Sequence, residues 1–176
     1  KQDLFVLLDG YTKWNAPRRP EAMAPDVYHP CHFREGEHVW KEVHGLMERA
    51  ERVKDHMPEV CMDAYDSMIY YPAMASLNLI LMHIEAGWNA FYAGQGNMAA
   101  NAYAARVRWR AAKDRQYVQA YHTLADGKWN HMMDSAHTGF RIWDAHNWTY
   151  PTAQEVIPLP MAKIIVGFRG GEMYHL

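Results

Sequence analysis

The sequence predicts an all-α protein, an antiparallel bundle of four to five helices with a truncated β segment at the C-terminus. Apolar residues recur at helical spacing through four stretches of the chain, and glycine and proline separate these stretches. After Trp148 the pattern changes to a proline-punctuated linker and a short run typical of a strand. Consecutive helices joined by short connections pack as an antiparallel bundle.

The first two predicted helices have clear signals. The first covers residues 3–15, and Pro17 and Pro20 end it. The second covers residues 36–57 and is the most regular amphipathic helix of the chain, stopped by Pro58. Its apolar positions, spaced by three, four and seven, are Val39, Val43, Leu46, Ala50, Val53 and Met57.

The third and fourth predicted helices form the second half of the bundle. Residues 59–93 are apolar on most sides, which predicts a helix in the middle of the bundle, and Pro72 should kink or split it. Gly94 and Gly96 mark its end. Residues 97–125 form the fourth helix, closed by Asp126 and Gly127, because glycine is favoured just past a helix end.

The C-terminal stretch is predicted to leave the helical bundle and to enter a β structure. Pro151, Pro158 and Pro160 punctuate a linker, and residues 161–168 are predicted to form a β-strand. One strand cannot form a sheet. We therefore interpret it as the cut-off start of a β domain, or as a strand that pairs elsewhere.

Composition limits the classes of function. The 176 residues fit one domain, and the 49% hydrophobic fraction is enough for a core. The net charge of −2, with both signs mixed, argues against a nucleic-acid groove, and no stretch approaches the uninterrupted apolar length of a membrane span. A basic cluster is interpreted as a solvated helix surface. Its members are Arg106, Arg108, Arg110, Lys113 and Arg115.

The cysteines and a histidine-rich turn leave metal binding as an alternative. Cys31 and Cys61 form no disulfide framework, and their redox state stays open. Residues 28–32 hold His29, Cys31 and His32, but zinc would need a fourth ligand, so a polar turn is favoured. Residues 35–38 contain one Glu-x-x-His, which di-iron bundles carry twice. An acidic first helical turn is the favoured interpretation.

A third candidate metal face is His131, Asp134 and His137, whose spacing of three would place them on one side of a helical turn. A polar network beside a pocket or a partner is the favoured interpretation. The sequence contains no phosphate-binding glycine loop and no nucleophile elbow. Asp63 and Asp66 share a helix face but are expected at the surface, so we predict no catalytic residues in this chain.

The most unusual stretch is residues 127–143, which concentrates tryptophan, methionine and histidine without regular periodicity. Such a segment commonly forms a pocket wall or a subunit contact. The candidate site residues that it supplies are Trp129, His131, His137, Arg141 and Trp143.

Three stretches also carry a family resemblance. Residues 11–21 are similar to a Tyr…Asn…Arg-Lys-Pro-Glu segment, with Arg19 in place of lysine. Residues 71–73 and 76–78 are similar to an apolar-Tyr/Phe-Pro and a small-x-Asn stretch. Residues 127–143 are similar to Gly-Lys-Trp-x-x-Met-Met-x-x-x-His-x-Gly-Tyr-x-x-Trp, with Phe140 for tyrosine and Ser135 for glutamine. Together they resemble glycoside hydrolase family 115, the xylan α-1,2-glucuronidases.

The resemblance implies a piece of a larger enzyme. Residues 1–22 would end the catalytic domain and enter the bundle, residues 23–150 would form the helical domain, and residues 151–176 would lead into a β-sandwich. The catalytic carboxylates would lie upstream of this chain. The parent would remove glucuronic acid or its 4-O-methyl form from glucuronoxylan without a metal or cofactor, as a homodimer that binds neither nucleic acid nor membrane.

The density of polar and aromatic groups in residues 127–143 leads to a hypothesis about the candidate residues, and the resemblance implies a location for the parent. The five candidates would lie at the edge of the active-site cleft or on the dimer seam, where an arginine or a protonated histidine could meet the glucuronate anion. A secreted or periplasmic parent is favoured. The alternatives are a zinc or di-iron bundle and a stand-alone protein interaction module.

Overall fold

Five α-helices and one pair of β-strands make up the described part of the chain, residues 1–139, 149–159, 165–167 and 173–175 of a computed structural model. The elements are α1 (Gln2–Asn15), α2 (Glu35–Asp55), α3 (Glu59–Tyr65), α4 (Tyr71–Gly94), α5 (Ala99–Gly127), β1 (Ile165–Gly167) and β2 (Met173–His175). The predicted all-α bundle with a C-terminal β segment is confirmed. Four predicted helices become five because one of them divides.

The division lies just before Pro72. α3 continues through a π-helical turn, Asp66–Tyr70, into α4, and Pro72 stands in the first turn of α4. Proline has no amide hydrogen, and its ring clashes with the preceding helical turn. The wider π-helical turn accommodates both effects, so the interruption predicted at Pro72 takes the form of a π-helical turn within one continuous helical segment.

α4 lies in the middle of the bundle and is buried on both sides. One side packs against α1 and α2 in a core that includes Leu7, Val43, Leu77, Ile80 and Leu81. The other side packs against α5 through Leu79, Met82, Ala86, Val107 and Ala111. This double burial explains why the α4 sequence is apolar nearly all round.

The helical segment Glu59–Gly94 is long and apolar enough to cross a membrane by length and composition. In the bundle, 61% of its most apolar window is buried, which is the environment of a core helix.

The turn between α1 and α2 crosses α4 at a glycine. A Cβ at Gly87 would overlap the carbonyl oxygen of Pro25, so only glycine allows the backbone to pass at this point. The neighbouring Trp88 donates its indole hydrogen to the Pro30 carbonyl at 3.3 Å. These contacts fix the turn on the central helix.

Two asparagines hold the segment after Tyr150 against the bundle. The Asn89 amide donates to the Gln154 carbonyl and accepts from its backbone nitrogen, both at 2.8 Å. The Asn101 amide makes the same pair with Val156, at 2.9 and 2.7 Å. Each asparagine amide therefore satisfies both backbone hydrogen-bonding groups of one residue, which fixes residues 154–156 on α4 and α5.

The C-terminal strands correct one expectation. β1 pairs with β2 in antiparallel fashion, with Val166 opposite Tyr174, so the predicted strand finds its partner within this chain. The two strands flank Gly170 and Gly171 in the sequence, and the prediction overlooked the short second strand after them. That this pair begins a β domain stays a prediction, as does the division into residues 1–22, 23–150 and 151–176.

Candidate functional site

The candidate segment begins where α5 ends. Leu124 leaves the helical backbone, and Ala125, Asp126 and Gly127 have φ angles of +49°, +54° and +80°. The predicted helix end at Asp126 and Gly127 is confirmed. These left-handed residues reverse the chain, so that residues 128–139 run back along α5.

A buried carboxylate anchors the returning segment. Asp114 of α5 is fully buried, and its Oδ2 lies 2.8 Å from both His137 Nε2 and the Tyr150 hydroxyl, which donates to it. The other ring nitrogen of His137, Nδ1, lies 3.3 Å from the Ser135 carbonyl oxygen. Asp114 therefore joins α5 to two segments that are distant in sequence.

This environment changes the pKa values of the two groups that meet Asp114. Burial alone lowers the pKa of the His137 imidazole, but the hydrogen bond and the charge of Asp114, with the Ser135 carbonyl, outweigh it, and the pKa is raised. Burial, and then the charge of Asp114, raise the pKa of the Tyr150 hydroxyl. Because acceptors face both nitrogens of His137, the ring is suited to hold a proton in place and not to exchange it with a substrate.

A second histidine of the segment faces outward. His131 Nδ1 lies 2.6 Å from Asp134 Oδ2, and the His131 side chain is 76% exposed. Behind it, His122 Nε2 accepts a hydrogen bond from the Met133 backbone nitrogen at 3.1 Å. The ring of His131 is the one that solvent or a ligand can reach.

The interpretation of His131, Asp134 and His137 as one side of a helical turn is wrong. Residues 128–133 form turns, and His131 has a φ of +65°. His137 pairs with Asp114, whereas His131 pairs with Asp134. The favoured interpretation, a polar network, describes the contacts better than a metal face.

The remaining candidates divide between the surface and the undescribed part of the chain. Trp129 is 37% exposed and carries the Lys128 ammonium 4.7 Å from its ring centre, and Met132 is 60% exposed. Arg141 and Trp143 lie outside the described residues. The segment therefore has an inner side around His137 and an outer side around Trp129, His131 and Met132.

Hydrogen bonds organise the turn with two histidines. His29 Nδ1 accepts hydrogen bonds from the backbone nitrogens of Cys31 and His32, at 3.0 and 2.8 Å. Glu35 accepts from the His29 backbone nitrogen at 3.2 Å, so it closes this turn. Within the described ranges, no group of three or more histidine, cysteine, aspartate or glutamate side chains is placed to hold a metal ion.

A polar network at the centre of the bundle escaped the sequence analysis. Arg110 binds Glu85 through two nitrogens, at 2.7 and 3.1 Å, and both side chains are almost fully buried. Trp40 donates to Glu85 at 2.9 Å, and Asn78 donates to the Arg110 carbonyl at 3.0 Å. The network joins α2, α4 and α5.

Signals for these residues were present in the sequence. Glu85 interrupts an apolar helix, and Arg110 and Asp114 occupy the inward positions of α5 between Val107 and Val118. A charged residue in a buried stripe requires a partner, which could have directed attention to them. The interpretation of the basic cluster as a solvated helix surface is wrong for Arg110, which is buried, whereas its neighbours Arg108 and Trp109 are exposed.

The fold and the two clusters define a helical bundle with a polar edge built around Asp114. A scan of known protein-family models found no match to the chain, and a search of curated proteins found no similar sequence.

Proposed function

We propose that this chain is the accessory helical domain of a xylan α-1,2-glucuronidase that releases glucuronic acid side chains from glucuronoxylan as a homodimer. The observation that carries the proposal is the segment 127–143, whose motif resembles the glucuronidase family over most of its positions. Its described part follows α5 directly, and the Asp114 cluster fixes it on the bundle. A segment held this firmly is suited to present a defined surface to a neighbouring domain or subunit.

The outer side of the segment has the composition of a contact surface. Trp129 and Met132 are exposed apolar side chains, and tryptophan and methionine are enriched in protein interfaces. We assign the dimer seam, or the seam with the catalytic domain, to this side.

The two histidines receive different roles. His131 is exposed and could meet the carboxylate of a glucuronic acid side chain at the rim of the cleft, through a charge-assisted hydrogen bond. His137 is turned inward toward Asp114 and positions the segment. No catalytic role is assigned to either, since the catalytic carboxylates would lie upstream of this chain.

The test uses the full-length gene product and measures release of 4-O-methylglucuronic acid from glucuronoxylan, together with the solution mass. His131→Ala should raise KM with little change in unfolding. Trp129→Ala should reduce the dimer fraction and leave KM unchanged. Absence of glucuronic acid release by the unmodified protein would refute the glucuronidase proposal, whatever the variants do.

A further inference from the structure

α5 carries a second regular face on its outer side. The inner, buried positions repeat every three to four residues and face α4. The outer positions repeat in the same way on the opposite side, all are exposed, and none is charged. We call these residues the outer face: Met98, Ala102, Ala105, Trp109, Ala112, Gln116, Gln119 and Thr123.

An exposed helix surface ordinarily carries mixed charges, and this one does not. Trp109 lies near the middle of the outer face with 53% of its surface exposed, and Met98 at one end is 47% exposed. The spacing of the outer face, alternating between three and four, is that of a helix seam that meets another helix. Alanines on both sides of Trp109 would let a second backbone approach closely.

Cations border the outer face on both sides. Arg106 and Lys113 follow it on one side, and Arg108 and Arg115 on the other, each pair seven residues apart. Over residues 99–123 the sole acidic residue is Asp114, which is buried. The exposed charge along this length of α5 is therefore entirely positive.

The two borders differ in their contacts. Arg108 pairs with Glu155 at 2.7 Å, in a pair that is more than half exposed, and Arg115 lies over the Tyr150 ring, 4.9 Å from its centre. Arg106 lies over the Tyr103 ring and Lys113 near the Trp109 ring, at 5.2 and 5.7 Å from the ring centres. Such cation–aromatic contacts hold the side chains beside the outer face and leave their charge uncompensated.

We propose that the outer face of α5 is a docking site for an α-helix with large apolar residues on its contacting side and acidic residues at both borders. A second copy of α5 would bring cations against cations in either orientation, which disfavours self-pairing. A membrane surface would need several large apolar side chains, and the outer face has mainly alanine around one tryptophan. This inference does not depend on the glucuronidase proposal.

The experiment uses the 176-residue chain and two synthetic helical peptides of about four heptads. Both peptides carry leucine on the contacting side, one has glutamate and the other lysine at the border positions. Fluorescence anisotropy should show saturable binding of the glutamate peptide, at least ~10-fold tighter than the lysine peptide and weakened by salt.

Two variants locate the binding. Trp109→Ala should weaken binding of the glutamate peptide ~10-fold, because buried tryptophan is a frequent binding hot spot. Phe33→Ala is the matched control, since it removes a fully exposed aromatic side chain in the turn between α1 and α2, and should leave binding unchanged. The double variant Arg106→Glu, Lys113→Glu should shift the preference toward the lysine peptide.

Four results would overturn the proposal. Equal affinity for the two peptides, or no binding of either, would remove the acidic helix as the partner. Tight binding of phosphatidylserine vesicles in place of the glutamate peptide would assign the surface to a membrane. Loss of a chain dimer in Trp109→Ala, measured by light scattering, would assign it to a second copy.

Discussion

Two buried polar clusters lie one helical turn apart on α5, and they differ in the chemistry that holds them together. At the centre of the bundle, Arg110 binds Glu85, and the two side chains are 6% and 1% exposed. At the edge, Asp114 binds His137, whose side chain is 26% exposed. The first cluster joins three helices, whereas the second attaches segments that have no helical structure of their own.

The difference between arginine and histidine predicts that the two clusters depend differently on pH. Arginine does not lose its charge in proteins, and the Arg110–Glu85 pair links α5 to α4 through a bidentate contact. Histidine gains and loses its charge near neutral pH. We therefore expect the attachment of the segment at Asp114 to depend on pH near neutrality.

Breaking the central pair should have the largest effect. Glu85→Gln leaves the Arg110 charge buried without a carboxylate, and we expect a loss of ~3–5 kcal/mol in the free energy of unfolding, measured by urea denaturation. Glu155→Gln is the matched control, because its pair with Arg108 has the same 2.7 Å distance but is exposed. It should cost less than ~1 kcal/mol.

A complementary double variant tests the reason for this loss. Glu85→Leu with Arg110→Met removes both charges, and it should be less destabilised than Glu85→Gln, since an uncompensated charge costs more than an absent pair. If Glu85→Gln and Glu155→Gln lower the free energy of unfolding by the same amount, burial does not make the Arg110–Glu85 pair contribute more than the Arg108–Glu155 pair.

Breaking the edge cluster should have an intermediate and more local effect. Asp114→Asn keeps the shape but removes the charge that His137 and Tyr150 bind, and we expect a cost of ~1–3 kcal/mol. Hydrogen exchange should accelerate in residues 128–139 and 149–156 before it does in α4. Tyr150→Phe removes one hydrogen bond and should cost less. Uniform acceleration across the helices would show that the edge cluster is part of the central core.

The sequence predicted the helices better than the clusters, for a physical reason. Helices follow from periodic apolar residues and from local breakers such as Pro72 and Gly127, which act within a few residues. The Asp114 cluster joins residues 114, 137 and 150, and nothing local specifies which distant side chain meets a buried carboxylate. His137 was recognisable as a candidate from its unusual neighbours, but its partner became known from the three-dimensional arrangement.

The smallest expected effect is the dependence of the edge cluster on pH. The pKa of His137 is raised above its ordinary value of 6.5, so folding favours the protonated ring. The resulting stabilisation is fully present below pH 6.5 and is lost as the pH rises through the raised pKa. Burial lowers the pKa of His83 to about 4, which acts in the opposite direction at acid pH, so urea denaturation between about pH 7 and about pH 8.5 should show this loss in the wild type.

His137→Gln isolates this contribution from the other histidines. Glutamine can still donate a hydrogen bond to Asp114 but does not titrate, so the variant should show a shallower decline in stability with rising pH than the wild type. Exchange of residues 128–139 should also become less dependent on pH. Identical pH profiles for the two proteins would mean that the Asp114–His137 contact holds the segment by its hydrogen bond alone.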